Sequence, residues 1–263
     1  MIAAFILLIL SVNSQPALGI MSAMDIELEM IKENMRVEQI DTIAQRIFYK
    51  GTLKEIPCVC VMAGIGKVNA ALTAEILIMH YNIRAMIFTG VAGGINPELG
   101  IGDIVISQSV VHHDYAHLGP EKLTPYDTVG YEADSILMAV AMQAAQDAHF
   151  DEIPMKICQE TGHFPRIALG KIVTGDQFIA SEKKRQWLEQ IFNADCVEME
   201  GAAVAQVCAI NSIPFVIIRC LSDLANEKAD IDFEAFVQYA AKNSSLIVQG
   251  IIDLLESNKQ YLH

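Results

Sequence analysis

Positive charge is scarce in this chain. Against 32 Asp and Glu it carries 18 Lys and Arg, a formal net charge of −14 at pH 7, and its first basic side chain is Lys32. Such a surface repels phosphate backbones, so nucleic acid is excluded as a partner, whereas a neutral or zwitterionic small molecule meets no such barrier. Nucleotide-binding signatures are missing too. The glycine-rich stretches around Gly64 and Gly90 have neither the GxxxxGK[ST] spacing of a triphosphate loop nor the GxGxxG of a dinucleotide fold. The six cysteines (Cys58, Cys60, Cys158, Cys196, Cys208 and Cys220) show no metal-type pair spacing. A chain of 263 residues, 52% hydrophobic, has enough core not to depend on disulfides, so they are expected as buried thiols. His112, His113, Asp114 and His117 crowd together, but on an irregular loop spacing and not on one helical face, and no metal site is expected there. Repeats, low-complexity tracts and long linkers are absent.

One hydrophobic run stands apart. Residues 1–12 (MIAAFILLILSV) are apolar and are broken by Asn13-Ser14-Gln15-Pro16. A dozen residues are short for a membrane span but suit the apolar part of a signal peptide. Residues 1–17 are therefore expected to be a signal-like or membrane-tethering segment ahead of one domain over 18–263. The protein is expected to be periplasmic or exported, with a membrane contact only if that segment stays uncleaved. The missing positive leader residues leave a cytoplasmic protein as the alternative.

Within the domain, short apolar runs alternate with helical patterns. Strands are expected over 18–21, 56–62, 85–88, 103–107, 166–173 and 215–218, and a further strand over 46–54 pairs antiparallel with 56–62 through a turn near Gly51. Helices are expected over 25–35, 68–81, 132–148, 181–192, 201–210 and 234–255. The alternation gives an α/β domain with a mixed sheet flanked by helices.

The chemistry concentrates in CVEMEGAAVAQVCAINSIPFVIIRCLSD, residues 196–223. Glu198 and Glu200 flank Met199, a small-residue helix follows, and a doubly buried strand delivers Arg219, Ser222 and Asp223 to its carboxyl end, where α/β sheets bind ligands. Carboxylates in so apolar a segment are costly to bury without a task. VEMEGAA followed by RCLSD resembles the 5′-methylthioadenosine/S-adenosylhomocysteine nucleosidases of the nucleoside phosphorylase/nucleosidase superfamily. The resemblance continues, in the family's order, at Ala23-Met24-Asp25-Ile26-Glu27, Ala63-Gly64-Ile65-Gly66-Lys67-Val68, Thr89-Gly90-Val91-Ala92-Gly93-Gly94 and Thr174-Gly175-Asp176-Gln177-Phe178-Ile179.

The resemblance implies a single domain with a central twisted, barrel-like mixed sheet flanked by helices, in a homodimer, with no metal and no cofactor. It implies roles as well. Asp223, aided by Ser222, is the acid that protonates purine N7 so that the base does not leave as an anion; Glu27 is the base that activates water. Glu200 accepts hydrogen bonds from the ribose 2′- and 3′-hydroxyls, with Met199 against the sugar. Phe178 stacks on the purine, the Ile179 backbone bonds the base, and Phe233 forms a lid. Ile65, Gly93 and Glu198 complete the substrate surround, and Arg219 holds the carboxylates. The expected reaction is hydrolysis of methylthioadenosine and adenosylhomocysteine to free adenine, with aminodeoxyfutalosine as a rival substrate. Phosphorolysis on the same fold needs a cationic phosphate clamp, and this chain has Glu27 and Val91 where phosphorylases place arginines. A non-catalytic nucleoside binder would need no acid and base pair.

Overall fold

The structure, a computed structural model, describes residues 15–120, 122–153 and 163–257; residues 1–14, which carry the leader-like run, and Cys158 lie outside them. The first strand, β1, spans Ala17–Ser22. β1 lies parallel to both β4 (Ile56–Met62) and β5 (Ile83–Gly94). Beyond β5, β12 (Phe215–Asp223) runs parallel to it and antiparallel to β6 (Ile104–His112). β10 (Ile167–Thr174) joins β6, and β11 (Cys196–Glu198) joins β10. β11 then returns to β5, Cys196 opposite Gly94 and Val197 opposite Gly93. Strands β5, β12, β6, β10 and β11 thus close a barrel-like ring of five, from which β1, β4, β3 (Arg46–Leu53) and β2 (Met35–Ile43) extend.

Side chains alternate across these strands, and helices cover both faces, which is why the strands look uniformly apolar in sequence. Val216, Ile218 and Cys220 of β12 pack in a core with α1 (Asp25–Lys32), α3 (Ser135–Asp147) and α6 (Ala229–Ser257). Their neighbours Phe215, Ile217 and Leu221 pack in a second core with α2 (Lys67–His80) and α5 (Gly201–Ile210). A third cluster lies under α4 (Glu182–Phe192). Cys58, Cys60, Cys196, Cys208 and Cys220 are buried and unbridged, as their apolar settings require.

Several element limits differ from expectation for physical reasons. β2 was not foreseen because its side chains are mostly exposed and carry no apolar period. It joins β3 through Ala44 and Gln45, both at positive φ, a turn conformation usually signalled by Asn or Gly. The β3–β4 turn falls at residues 54–55, not at Gly51, which lies mid-strand where a Cβ would sit 2.0 Å from the Arg36 carbonyl oxygen. Met35 belongs to β2, so α1 stops at Lys32. α3 starts at Ser135 because Asp134 caps it, accepting the Ile136 and Leu137 N–H groups, while Tyr131–Glu132 forms a short strand, β9, against β6. α6 starts at Ala229, ahead of the expected 234: Asp230 and Asp232 sit in its first turn, where the helix dipole favours them. The histidine-rich stretch is in part a small hairpin, β7 (Ala116–Leu118) with β8 (Leu123–Pro125). Among the described residues no three or more His, Cys, Asp or Glu are grouped to hold a metal ion, and no helix is long and apolar enough to cross a membrane.

Candidate active site

The carboxyl ends of β1, β4, β5, β10 and β12 open on a cavity with about 640 Å³ of free space, its mouth included, a size suited to a small-molecule ligand. All twelve residues singled out from the sequence line it. Ile65 and Phe178 stand half exposed at the rim, whereas Glu27, Glu198, Glu200, Arg219, Ser222 and Asp223 are buried. So many buried ionisable groups persist only if they are paired, protonated or neutralised.

Glu27 enters from the first turn of α1. Its Oε2 accepts the N–H groups of Ala23 and Met24, both at 3.0 Å, which fixes the carboxylate at the helix N-terminus. Oε1 makes no hydrogen bond of normal geometry. Burial pushes the Glu27 carboxyl up to about 7, and the Arg219 charge and nearby main-chain amides draw it only part of the way back. Gly90 faces this group. A Cβ there would lie 2.6 Å from Arg219 Nη1 and 2.9 Å from Glu27 Oε1, so the glycine makes room for both. Arg219, 1% exposed, lies over the Phe88 ring at 4.3 Å and leaves Nε and Nη1 without partners.

Glu198 is turned toward protein. Oε1 accepts the Thr174 hydroxyl, and Oε2 takes Arg219 Nη2 at 2.5 Å and the Glu200 and Gly201 N–H groups at 3.1 and 2.7 Å. It therefore anchors Arg219 and the N-terminus of α5, although it was expected among the substrate contacts. Glu200, at the N-cap of α5, keeps a freer carboxylate: Oε1 accepts the Gly66 N–H at 2.7 Å and Oε2 lies 3.9 Å from Arg219 Nη2. Burial, then repulsion from Glu198, raises its proton affinity.

Asp223 faces them from the end of β12. Its Oδ1 accepts the Ala225 N–H at 2.8 Å and its Oδ2 the Ser222 hydroxyl at 2.9 Å. Burial raises its carboxyl to about 6 despite these bonds. Gly93 serves this side as Gly90 serves the other, since a Cβ would stand 2.8 Å from Asp223 Oδ1. Phe178 and Phe233 meet edge to face, centroids 5.9 Å apart, and Ile179 is buried behind them. The cavity thus holds four carboxyl groups, three of them (Glu27, Glu198 and Glu200) around a buried arginine and the fourth, Asp223, apart from it, together with an aromatic pair.

The family model described as the phosphorylase superfamily matches residues 17–253. The 5′-methylthioadenosine/S-adenosylhomocysteine nucleosidase of Mycobacterium tuberculosis is 36% identical over 249 residues, covering 90% of this chain and 97% of that one. The chain belongs to this nucleosidase family. Solved structures agree. An MTAN mutant from Helicobacter pylori with 5′-methylthioadenosine in the active site superposes with TM-score 0.79 at 29% identity, covering 92% of this chain and all of the other. Native futalosine hydrolase of the same organism gives TM-score 0.77 at 28% identity, over 91% of this chain and 98% of the other. These are the folds of nucleoside phosphorylases and nucleosidases, with the closed five-stranded sheet found here.

Family membership makes the unforeseen parts of the cavity more informative. Thr174 carries no chemical signal of its own in the sequence, yet its hydroxyl links Glu198 to the Ala202 N–H. The Gly66 amide on Glu200 was also missed, although Gly66 at φ +95° marks a backbone position that favours glycine. Met24, Gln177 and Val197 line the cavity unannounced, because apolar or amide side chains beside a motif carry no chemical signal of their own.

Proposed function

We propose that the chain hydrolyses the N-glycosidic bond of 5′-methylthioadenosine and S-adenosylhomocysteine, releasing adenine. The observation that carries this reading is the pair Glu27 and Asp223: two buried carboxyl groups in one cavity, both shifted toward neutrality, one with a free oxygen beside an arginine and one beside a serine. In the proposed reaction Asp223 gives its proton to N7 as the bond to the sugar breaks. The sugar becomes oxocarbenium-like, and the negative charge of Glu27 and Glu200 favours that state. Water held between Glu27 Oε1 and Arg219 Nη1 loses a proton to Glu27 as it adds to the sugar carbon. Glu200, with Met199 beside the ring, takes the ribose hydroxyls. Phe178 and Phe233 enclose the purine, the Ile179 backbone bonds it, and Ile65 covers the rim. Glu198 keeps Arg219 and Glu200 in place.

Hydrolysis is favoured over phosphorolysis because Arg219, the cation among the cavity's lining residues, is already bound to Glu198. A second substrate reading, aminodeoxyfutalosine, is favoured by the similarity to a futalosine hydrolase structure. Incubation without phosphate, with each of the three nucleosides in turn and free adenine as the readout, tests both. Adenine release that requires phosphate would overturn hydrolysis, and release from aminodeoxyfutalosine alone would reassign the substrate.

The proposed assembly is a homodimer. Val68, Leu72 and Met79 of α2, Ile210 of α5, and Tyr115, Leu118 and Tyr126 expose large apolar groups that a second copy would cover. Light scattering at the mass of one chain would exclude it. Export is proposed from the apolar residues 1–12 and is tested by the N-terminus of protein isolated from its host: a start between residues 15 and 18 supports it, an intact Met1 on cytosolic protein does not.

A further inference from the structure

Glu200 is held from outside its own helix, by the Gly66 N–H at 2.7 Å. That donor belongs to the loop between β4 and α2, and the next amide along that loop is used as well. Lys67 N–H donates to Asp176 Oδ1 at 2.8 Å. The Lys67 side chain continues to Asp114, Nζ to Oδ1 at 2.6 Å, and stands 3.9 Å from Asp176 Oδ2. Asp114 closes the circuit, since its Oδ2 accepts the Asp176 N–H at 3.0 Å. Three loops are tied together in this way: the one after β4, the one after β6 and the one after β10.

The Gly66 and Lys67 peptide groups meet at the Gly66 Cα, and each is held by a carboxylate, Glu200 for the first and Asp176 for the second. With Gly66 at φ +95°, displacing the Lys67 amide from Asp176 would also disturb the Gly66 amide on Glu200. The Gly66 backbone at φ +95°, with space for a Cβ ending 3.2 Å from Asp176 Oδ1, confines the loop further. The same circuit fixes the rim, because Ile65 precedes Gly66 and Gln177 and Phe178 follow Asp176.

We propose that Lys67, clamped by Asp114 and Asp176, is a positioning residue for ribose recognition: it keeps the Gly66 amide on Glu200 and so keeps that carboxylate aimed at the sugar. This rests on the assignment of Glu200 to the ribose hydroxyls. Lys67 acts mainly through geometry. Its side chain and that of Asp114 are about one-fifth exposed, where the direct charge interaction is partly screened.

The test is steady-state kinetics with 5′-methylthioadenosine and its 2′-deoxy analogue. Lys67→Met should lower kcat/KM for the ribonucleoside by about fivefold, through KM with kcat nearly kept, the scale of coupling within one hydrogen-bonded network. The 2′-deoxy analogue, which lacks the hydroxyl, should be nearly unaffected, so the ribose preference falls by the same factor. Lys67→Arg should restore most of it. Asp114→Asn should move the preference in the same direction and serves where Lys67→Met fails to fold. Equal losses on both nucleosides would assign Lys67 a merely structural role and overturn the proposal. Glu200→Gln separates the two levels. If that variant keeps full ribose preference, the assignment of Glu200 falls and the inference with it. If it loses the preference while Lys67→Met and Asp114→Asn keep it, only the clamp is overturned.

Discussion

The two carboxyl groups proposed as base and acid should give an unusual pH profile. In the proposed reaction Glu27 is ionised to take a proton from water and Asp223 is protonated to give one to N7. Burial places the first at about 7 and the second at about 6, the reverse of the order that would fill both states. Neither group is among the main charges that shift the other, so the two should titrate independently. At pH 6.5 roughly a quarter of Glu27 is ionised and roughly a quarter of Asp223 protonated, so about 6% of the enzyme is in the active form. For methylthioadenosine, kcat/KM should then be bell-shaped, with limbs near 6 and 7, and should fall about sixtyfold from its maximum to pH 9.

A nitrophenyl riboside removes one requirement, since its leaving group departs without a proton. Its profile should lose the descending limb, and the ascending limb should move up to the Glu27 value near 7. Between pH 6.5 and 9 its kcat/KM should rise about fourfold while that of methylthioadenosine collapses. Parallel measurement of the two substrates from pH 5 to 9 decides the matter. The same descending limb on both would refute Asp223 as the acid, and a flat profile for methylthioadenosine would refute the assignment of both groups.

Other outcomes follow from the same geometry. Asp223→Asn should reduce methylthioadenosine turnover by about 10²–10⁴-fold, the usual contribution of a general acid, with a smaller loss on the nitrophenyl riboside and little change in the affinity of unreactive analogues. Glu200→Gln should weaken discrimination against 2′-deoxynucleosides, which in the wild type reflects a hydrogen bond to a charged group of about 1.5–3 kcal/mol; comparison of kcat/KM for the two sugars checks it. Gly90→Ala should leave a folded protein by circular dichroism but displace Arg219 or Glu27 and depress turnover, because its Cβ would come within 2.6 Å of Arg219 Nη1. Glu27→Gln should change the pH dependence of stability. A buried carboxyl raised from 4.5 to about 7 gives no penalty below pH 4.5 and a growing one up to pH 7, so unfolding experiments should show the wild type losing roughly 3 kcal/mol relative to the variant across that interval.

The sequence made the site more legible than the chain that surrounds it. Glu27, Glu200 and Asp223 stand out because charged residues at strand ends and helix starts interrupt apolar runs, and the fold gathers all three into one cavity. Strand β12 was legible only in its apolar start, residues 215–218; all nine of its residues are buried, but Arg219, Ser222 and Asp223 interrupt the apolar signal over its second half. β2 gave no such signal, because an exposed strand held by main-chain bonds to β3 needs no apolar side chains. Closure of the ring through β11 was also beyond pattern reading, since three residues, Cys196–Glu198, make the contact and the resemblance alone implied a barrel. Glu198 has a role that residue type alone does not reveal: it lines the cavity, yet its carboxylate oxygens are taken by Thr174, Arg219 and two main-chain amides.

That arrangement explains why the cavity tolerates so many acids. Glu27, Glu198 and Glu200 surround Arg219, the one cation among the lining residues. Glu198 takes the direct ion pair, so Glu27 and Glu200 lie near the arginine without neutralising it, and burial raises the proton affinity of both. In the resting protein a negative charge on either group is unfavourable, because burial removes water from both and Glu198 repels Glu200, so protons are retained. A sugar that becomes positive as its bond to the purine breaks relieves this penalty in another way, at the moment of reaction. The electrostatic strain in the free enzyme and the stabilisation of the transition state then have a common origin, so Glu27→Gln, which should remove the stability penalty, should also lower turnover.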